Sequence, residues 1–82
     1  MPHIIRVLDL DPGRLMILEN RVKKAVRKSG IRARISMVSD NLAITRQGLM
    51  DSVPVLEING TIVSRATPFL PGHLLEIFNA LA

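Results

Sequence analysis

The chain has 82 residues and a formal net charge of +4 at pH 7, and 48% of its residues are hydrophobic. This length allows one domain, residues 1–82, and leaves no room for a second core. The sequence lacks cysteine and has no aromatic residue besides Phe69 and Phe78, which excludes thiol chemistry and cysteine-ligated metals and disfavours single-stranded nucleic-acid binding by base stacking.

The first predicted elements are a strand, a helix and a second strand. Residues 3–10 are mostly apolar and β-branched, which is typical of a strand covered on both faces. Asp11 can cap a helix, Pro12 fits the first helical position, and Gly30 supplies the stop. Residues 31–38 alternate between apolar and polar side chains, so we expect a strand at the edge of a sheet.

The first helix is predicted to be amphipathic. Its apolar residues recur at spacings of three and four and should face the core. The opposite side is basic and carries Arg14, Arg21, Lys24 and Lys28. Such a face is usually only solvated, but it is also a candidate surface for an acidic partner.

A short second helix is predicted between the second strand and a hairpin. Ser39 or Asp40 can cap this helix, which should end near Gln47. Three of the apolar residues in and after it are expected to be buried: Leu42, Ala43 and Leu49.

The hairpin has the strongest turn signal in the chain. Asn59 and Gly60 both tolerate positive φ and suit a two-residue type I′ turn. This turn predicts two cross-strand pairs, Ile58 with Thr61 and Leu56 with Val63. A last helix should then begin at Pro71.

Pro54 lies at the start of the strand-like run that leads into this hairpin. Proline cannot donate a ladder hydrogen bond, so Pro54 must stand at a strand start or on an unpaired edge. We expect the Val53–Pro54 peptide bond to be cis.

Three sequence motifs carry a family resemblance: Ser52-Val53-Pro54, the Asn59-Gly60 turn, and the passage from helix to strand over residues 25–31. On these motifs the whole chain resembles the small thioredoxin-like, or glutaredoxin-like, proteins of bacteria and archaea. The resemblance implies an α/β fold with the order β-α-β-α-β-β-α and a four-stranded mixed sheet with helices on both faces. The right-handed crossover rule makes the first two strands parallel neighbours.

The active site departs from that family. Its members carry Cys-x-x-Cys at the start of the first helix, and the resemblance assigns these positions to Pro12 and Leu15. Neither residue can form a disulfide, so dithiol exchange is excluded. The loop after the last strand also lacks the glutathione-binding pattern of the family, and no cofactor is expected. What remains is the backbone beside Pro54, which in the family pairs with an extended partner peptide.

Other polar candidates have simpler interpretations. Asp9 and Asp11 could bind a metal ion or act in acid–base chemistry, but a strand end and a helix cap explain them more simply. His3 and His73 lack metal-ligand spacing. We therefore expect no metal site.

Met16 and Ile17 follow the missing motif but lie off the apolar stripe of the helix. They either form an exposed apolar patch beside Val53 and Pro54 or cap the end of the core.

We therefore expect first a non-redox module that docks a partner protein segment, which could be acidic, beside Pro54. The expected docking residues are Gly13, Arg14, Met16, Ile17, Val53 and Pro54, with Arg14 available to a partner carboxylate. One alternative is a degenerate oxidoreductase, or an enzyme whose nucleophile comes from a partner or cofactor. Another is an anion or nucleic-acid binder that uses the basic helix.

The cytoplasm is the default location for a sequence without export or membrane-spanning signals. No apolar run approaches the ~20 residues that span a bilayer, and the chain does not start with a leader-type segment. We expect a cytoplasmic protein without membrane contact. The sequence leaves the identity of the partner and the oligomeric state open.

Overall fold

The computed structural model describes residues 1–67 and 69–82. The protein is α/β, with the element order expected from the sequence. In chain order the elements are β1 (His3–Leu8), α1 (Pro12–Ser29), β2 (Ala33–Val38), α2 (Asn41–Arg46), β3 (Val55–Ile58), β4 (Thr61–Arg65) and α3 (Pro71–Asn79). β1 ends two residues earlier than expected, and β2 begins two residues later.

The strands form one mixed sheet in the order β2-β1-β3-β4. β1 and β2 are parallel, while β3 is antiparallel to both β1 and β4. The parallel pairing of the first two strands and the edge position of β2 are therefore confirmed.

Both faces of the sheet pack against helices, because neighbouring residues of β1 point to opposite faces. Ile5 and Val7 join a large core with buried residues of α1 and α3. Leu8 joins a smaller core on the other face with Ile44 of α2 and Val55 of β3. The expected arrangement of helices on both faces is thus present.

Local signals set the limits of α1. The Asp11 side chain accepts hydrogen bonds from the backbone N–H groups of Gly13 at 3.0 Å and Arg14 at 3.2 Å. Gly30 ends the helix at φ 76°, a left-handed conformation that glycine adopts without steric cost. Within residues 1–67 and 69–82, no helix is long and apolar enough to cross a bilayer.

The predicted burial pattern of α2 was partly wrong. Leu42 is 58% exposed, and Ile44 is the fully buried residue of this helix. Leu49 is buried as expected, and Ala43 is half-buried. A helix of six residues is too short to show a clear apolar period, so its orientation is set by the space beside Leu8.

The predicted hairpin register was half right. Asn59 and Gly60 have φ values of 52° and 84°, and Ile58 pairs with Thr61 as expected. Leu56 pairs with Ser64 instead of Val63, because a β-bulge shifts the register between Leu56 and Glu57.

Candidate functional site

The expected docking residues lie at one end of the sheet. α1 begins shortly after β1 ends, and the antiparallel strand β3 begins at that same end. Leu8 of β1 pairs with Val55 of β3. Because the strands are antiparallel, Asp9, which follows Leu8, and Pro54, which precedes Val55, are the next two residues beyond this pair. The topology therefore brings the start of α1 and the Val53–Pro54 segment to a common end of the sheet.

A buried ion pair links β1 to α1 at this end. The Asp9 side chain is 0% exposed, and Arg14 donates to its carboxylate from Nε to Oδ2 and from Nη2 to Oδ1, the second at 2.6 Å. The backbone N–H of Asp11 donates to the same Oδ1 at 3.3 Å. This is a bidentate, charge-assisted pair of the stronger kind.

The surroundings of Asp9 shift its pKa in two opposing directions. Burial raises the pKa, but the Arg14 guanidinium and backbone N–H groups favour the ionised form and hold the pKa below its usual value. The hydrogen bonds with Asp9 also raise the pKa of Arg14. Both groups are therefore charged at neutral pH.

Asp9 competes with a partner carboxylate for Arg14, so the availability of Arg14 to a partner stays a prediction. Two of its three guanidinium nitrogens bond to Asp9, and its side chain is only 39% exposed. Asp11 is the helix cap that the sequence predicted. An aspartate at a strand end followed five residues later by an arginine in the first helical turn is the signal that could have revealed this pair.

The Val53–Pro54 peptide bond is cis, as expected. Pro54 is buried, so its ring offers little contact surface, and docking beside Pro54 through the backbone stays a prediction. Val53 is half-buried and packs against the smaller core.

The residues on either side of Val53, Ser52 and Pro54, both accept a backbone hydrogen bond. The N–H of Ala66 donates to the carbonyl of Ser52 at 2.7 Å and to that of Pro54 at 3.1 Å. Among residues 1–67 and 69–82, neither the N–H nor the C=O of Val53, which lies between these two carbonyls, has a hydrogen-bond partner. One residue thus leaves a donor and an acceptor that a further extended segment can use.

Met16 and Ile17 are exposed to solvent, at 64% and 54%, whereas their neighbours Leu15 and Leu18 are buried. Their exposure agrees with an exposed patch and not with a cap on the core, and the position of this patch beside Val53 and Pro54 stays a prediction. Both residues project from α1, on the sheet face opposite the core that Val53 contacts. They share an end of the sheet with Val53 and do not pack with it in one cluster.

The two positions that the family resemblance aligns with Cys-x-x-Cys differ in their surroundings. Pro12 is exposed at the first position of α1, and Leu15 lies in the large core. Gly13, between them, is exposed, and its N–H donates to Asp11.

The sequence analysis also missed an ion pair between neighbouring strands. Arg6 of β1 and Glu57 of β3 are opposite each other, and Nη1 lies 3.0 Å from Oε1. Glu57 is nearly buried, so this pair satisfies a charge within the sheet. The sequence feature that indicates this ion pair is a single charged residue inside each of two apolar strands.

The histidines do not meet. His3 lies against Asn59, with Nδ1 3.0 Å from Nδ2, and His73 is exposed in the first turn of α3. In the part of the chain that the structure describes, no three potential metal ligands come together.

Comparisons with models of known protein families, with curated proteins and with solved structures gave no match. Over residues 1–67 and 69–82, the structure defines an α/β protein with a four-stranded mixed sheet and three helices. Its function has to be inferred from the geometry at the end of the sheet.

Proposed function

We propose that this protein is a non-redox, thioredoxin-fold interaction module that docks an extended segment of a partner protein beside Val53 and Pro54. The element order and the four-stranded mixed sheet with helices on both faces support this proposal, because they are the ones that the family resemblance implies. The chain has no cysteine, so thiol–disulfide exchange has no part in it. We place this activity in the cytoplasm.

The N–H and C=O of Val53, which have no hydrogen-bond partner among residues 1–67 and 69–82, carry the proposal. An extended segment can accept a hydrogen bond from the N–H of Val53 and donate one to its C=O, which is recognition by strand addition. The adjacent carbonyls of Ser52 and Pro54 already bond to Ala66. The incoming segment therefore has one residue to pair with, and this fixes its register.

Side chains of α1 supply the apolar part of the contact. Met16 and Ile17 expose more than half of their surface beside the start of the helix, where a partner side chain can cover them. Gly13 adds no side chain that would obstruct the approach of a segment. Arg14 positions this turn through its ion pair with Asp9, which competes with a partner carboxylate for the guanidinium.

The proposal is tested by selecting ligands for the protein. Random linear peptides displayed on phage are selected on the intact protein, and the affinity of the selected peptides is measured by calorimetry. Ile17→Asp should weaken binding about tenfold or more, because a charge replaces exposed apolar contact surface. Binding should persist at moderate salt, since most of the contact is uncharged.

Ile4→Asp is the matched control. It is the same substitution at another exposed isoleucine, which lies at the opposite end of β1 beside Asn59. Circular dichroism checks that both variants are folded. Selected peptides that bind Ile17→Asp as well as the parent protein, or that lose equal affinity on Ile4→Asp, would contradict the proposed site.

A further inference from the structure

A groove of about 310 Å³ runs between α1 and α3, away from the docking site proposed above. Its apolar lining includes Ala25 of α1 and Pro71 and Leu75 of α3. Its volume is at the lower end of the range for ligand sites, and it is open to solvent along one side. The groove can therefore accept inserted apolar side chains of a larger molecule.

One wall of the groove is cationic. Arg21, Lys24 and Lys28 all line it, and their spacings of three and four residues place them along one stripe of α1. Seven residues at 1.5 Å rise per residue separate the outer two by about 10 Å along the helix axis. Arg21 also donates from Nη1 to the carbonyl of Phe69 at 3.1 Å, which holds its side chain toward the start of α3.

In the part of the chain that the structure describes, these three cations form no ion pair with an acidic side chain. The ion pairs found among residues 1–67 and 69–82 involve other side chains, and none includes a cation of the groove. Charges left without a partner along an apolar groove favour an anionic, partly apolar ligand. The net charge of +4 acts in the same direction over longer distances.

We propose that this groove binds an acidic amphipathic helix of a partner protein. A helix with Asp or Glu at spacings of three and four presents carboxylates in a row that matches the cationic stripe, and its adjacent apolar residues can enter the groove. A single phosphate or carboxylate is too small to contact cations spread over about 10 Å. A nucleic acid would leave the aliphatic lining uncovered, and the groove has no aromatic side chain for base stacking.

This site is separate from the docking site beside Val53. Its residues on α1 begin at Asn20, beyond Met16 and Ile17, and its other wall is α3 instead of β3. Failure of one proposal therefore leaves the other intact. The Ile17→Asp variant should bind a groove ligand with the affinity of the parent protein.

The probe is a fluorescein-labelled peptide of leucine, glutamate and alanine. Its leucines recur at helical spacing along one side, and glutamates flank them on both edges. A second peptide has the same composition in scrambled order, so it keeps the charge and loses the apolar stripe. Fluorescence anisotropy should show that the amphipathic peptide binds about tenfold or more tightly than the scrambled one.

Two double variants separate the groove from general charge. Lys24→Gln with Lys28→Gln removes two charges from the groove, whereas Lys23→Gln with Arg27→Gln removes two charges at the same spacing on α1 outside it. The groove variant should bind the amphipathic peptide about tenfold less tightly, and the control should differ from the parent by less than about threefold.

Amide chemical shifts locate the bound peptide. We expect the changes to concentrate between Arg21 and Lys28 of α1 and near Leu75 of α3. Equal binding of the two peptides, equal losses in the two double variants, or no binding at low salt would overturn the proposal. Shifts centred on Met16 and Val53 would also overturn it, as would duplex RNA or DNA binding in the same groove more tightly than the amphipathic peptide.

Discussion

Arg14 donates two hydrogen bonds from its guanidinium to the fully buried carboxylate of Asp9. Asp9 directly follows β1, and Arg14 lies in the first turn of α1, so the pair joins the sheet to the start of the helix. Removing Arg14 would leave the buried carboxylate of Asp9 without compensation, which is costly, whereas removing Asp9 leaves a partly exposed guanidinium without its partner. This pair therefore fixes the turn that presents Met16 and Ile17.

We expect Asp9→Asn to lower the free energy of unfolding by about 1.5–3 kcal/mol, the usual contribution of hydrogen bonds to a charged group. The substitution keeps the shape of the side chain and removes the negative charge that Arg14 contacts. Urea denaturation measures the change.

Asp11→Asn is the matched control for this substitution. Asparagine caps a helix about as well as aspartate does, so the change should stay within about 0.5 kcal/mol. Equal destabilisation by the two substitutions would show that the Asp9–Arg14 pair has no special part in stability.

The same pair predicts a pH dependence. Because the folded protein holds the pKa of Asp9 below its usual value, the contribution of Asp9 to stability is fully present above about pH 4, near the unfolded pKa. It is lost as the pH falls through the folded pKa, where the carboxylate takes up a proton. The stability difference between the parent protein and Asp9→Asn should therefore shrink in acid.

Urea midpoints of the parent and Asp9→Asn, measured at neutral pH and at stepwise lower pH, test this dependence. A difference that stays constant, or grows, as the pH falls would contradict the ionised pairing of Asp9.

A double cysteine variant tests the assignment of the lost cysteine positions. Pro12→Cys combined with Leu15→Cys should oxidise readily to an intramolecular disulfide and gain at least weak reductase activity, because two residues three apart in the first turn lie on the same side of a helix. The helix N-terminus should also favour the thiolate of the first cysteine. Removal of Leu15 from the core should cost ~1–3 kcal/mol.

Gly13→Cys combined with Met16→Cys is the control, since it keeps the spacing and shifts the pair by one residue. Thiol titration after mild oxidation gives the result, with stability checked alongside. If the Gly13–Met16 variant forms the disulfide and the Pro12–Leu15 variant stays folded without forming one, the two cysteine positions are assigned one residue too early.

Two substitutions in α2 test the corrected orientation of this helix. Ile44→Ala should lower the free energy of unfolding by about 2–5 kcal/mol, since it leaves a cavity in the smaller core beside Leu8 and Val55. Leu42→Ala removes an exposed side chain and should change it by less than about 0.5 kcal/mol. Thermal and urea unfolding provide the measurement. A larger loss of stability in Leu42→Ala than in Ile44→Ala would support the orientation expected from the sequence instead.

The sequence predicted those features of the fold that depend on local chemistry. The cap at Asp11, the proline at Pro12 and the left-handed Gly30 define α1 without help from the rest of the chain. The Asn59–Gly60 turn likewise fixes the first pair of the hairpin. The next pairs depend on a bulge that places the extra residue Val63 in the edge strand β4, and a turn motif holds no information about it.

The site was less predictable because it depends on contacts between distant segments. The position of Met16 and Ile17 off the apolar stripe left exposure and capping of the core as alternatives, and the structure shows both side chains exposed. The burial of Pro54 follows from packing, and Val53 lacks a backbone partner among the described residues while Ser52 and Pro54 accept from Ala66; a single sequence does not encode either feature visibly. The ion pair of Arg14 was missed because the burial of Asp9 could not be foreseen.

Amide hydrogen exchange at Val53 tests the central claim most directly. In the free protein this N–H has no partner among the residues described, so it should exchange much faster than the paired amides of β3. Adding a peptide selected on the intact protein should slow the exchange of Val53 by about tenfold or more, because strand addition supplies an acceptor. A Val53 amide that is already protected in the free protein, or that exchanges at an unchanged rate when the peptide is bound, would contradict docking at this residue.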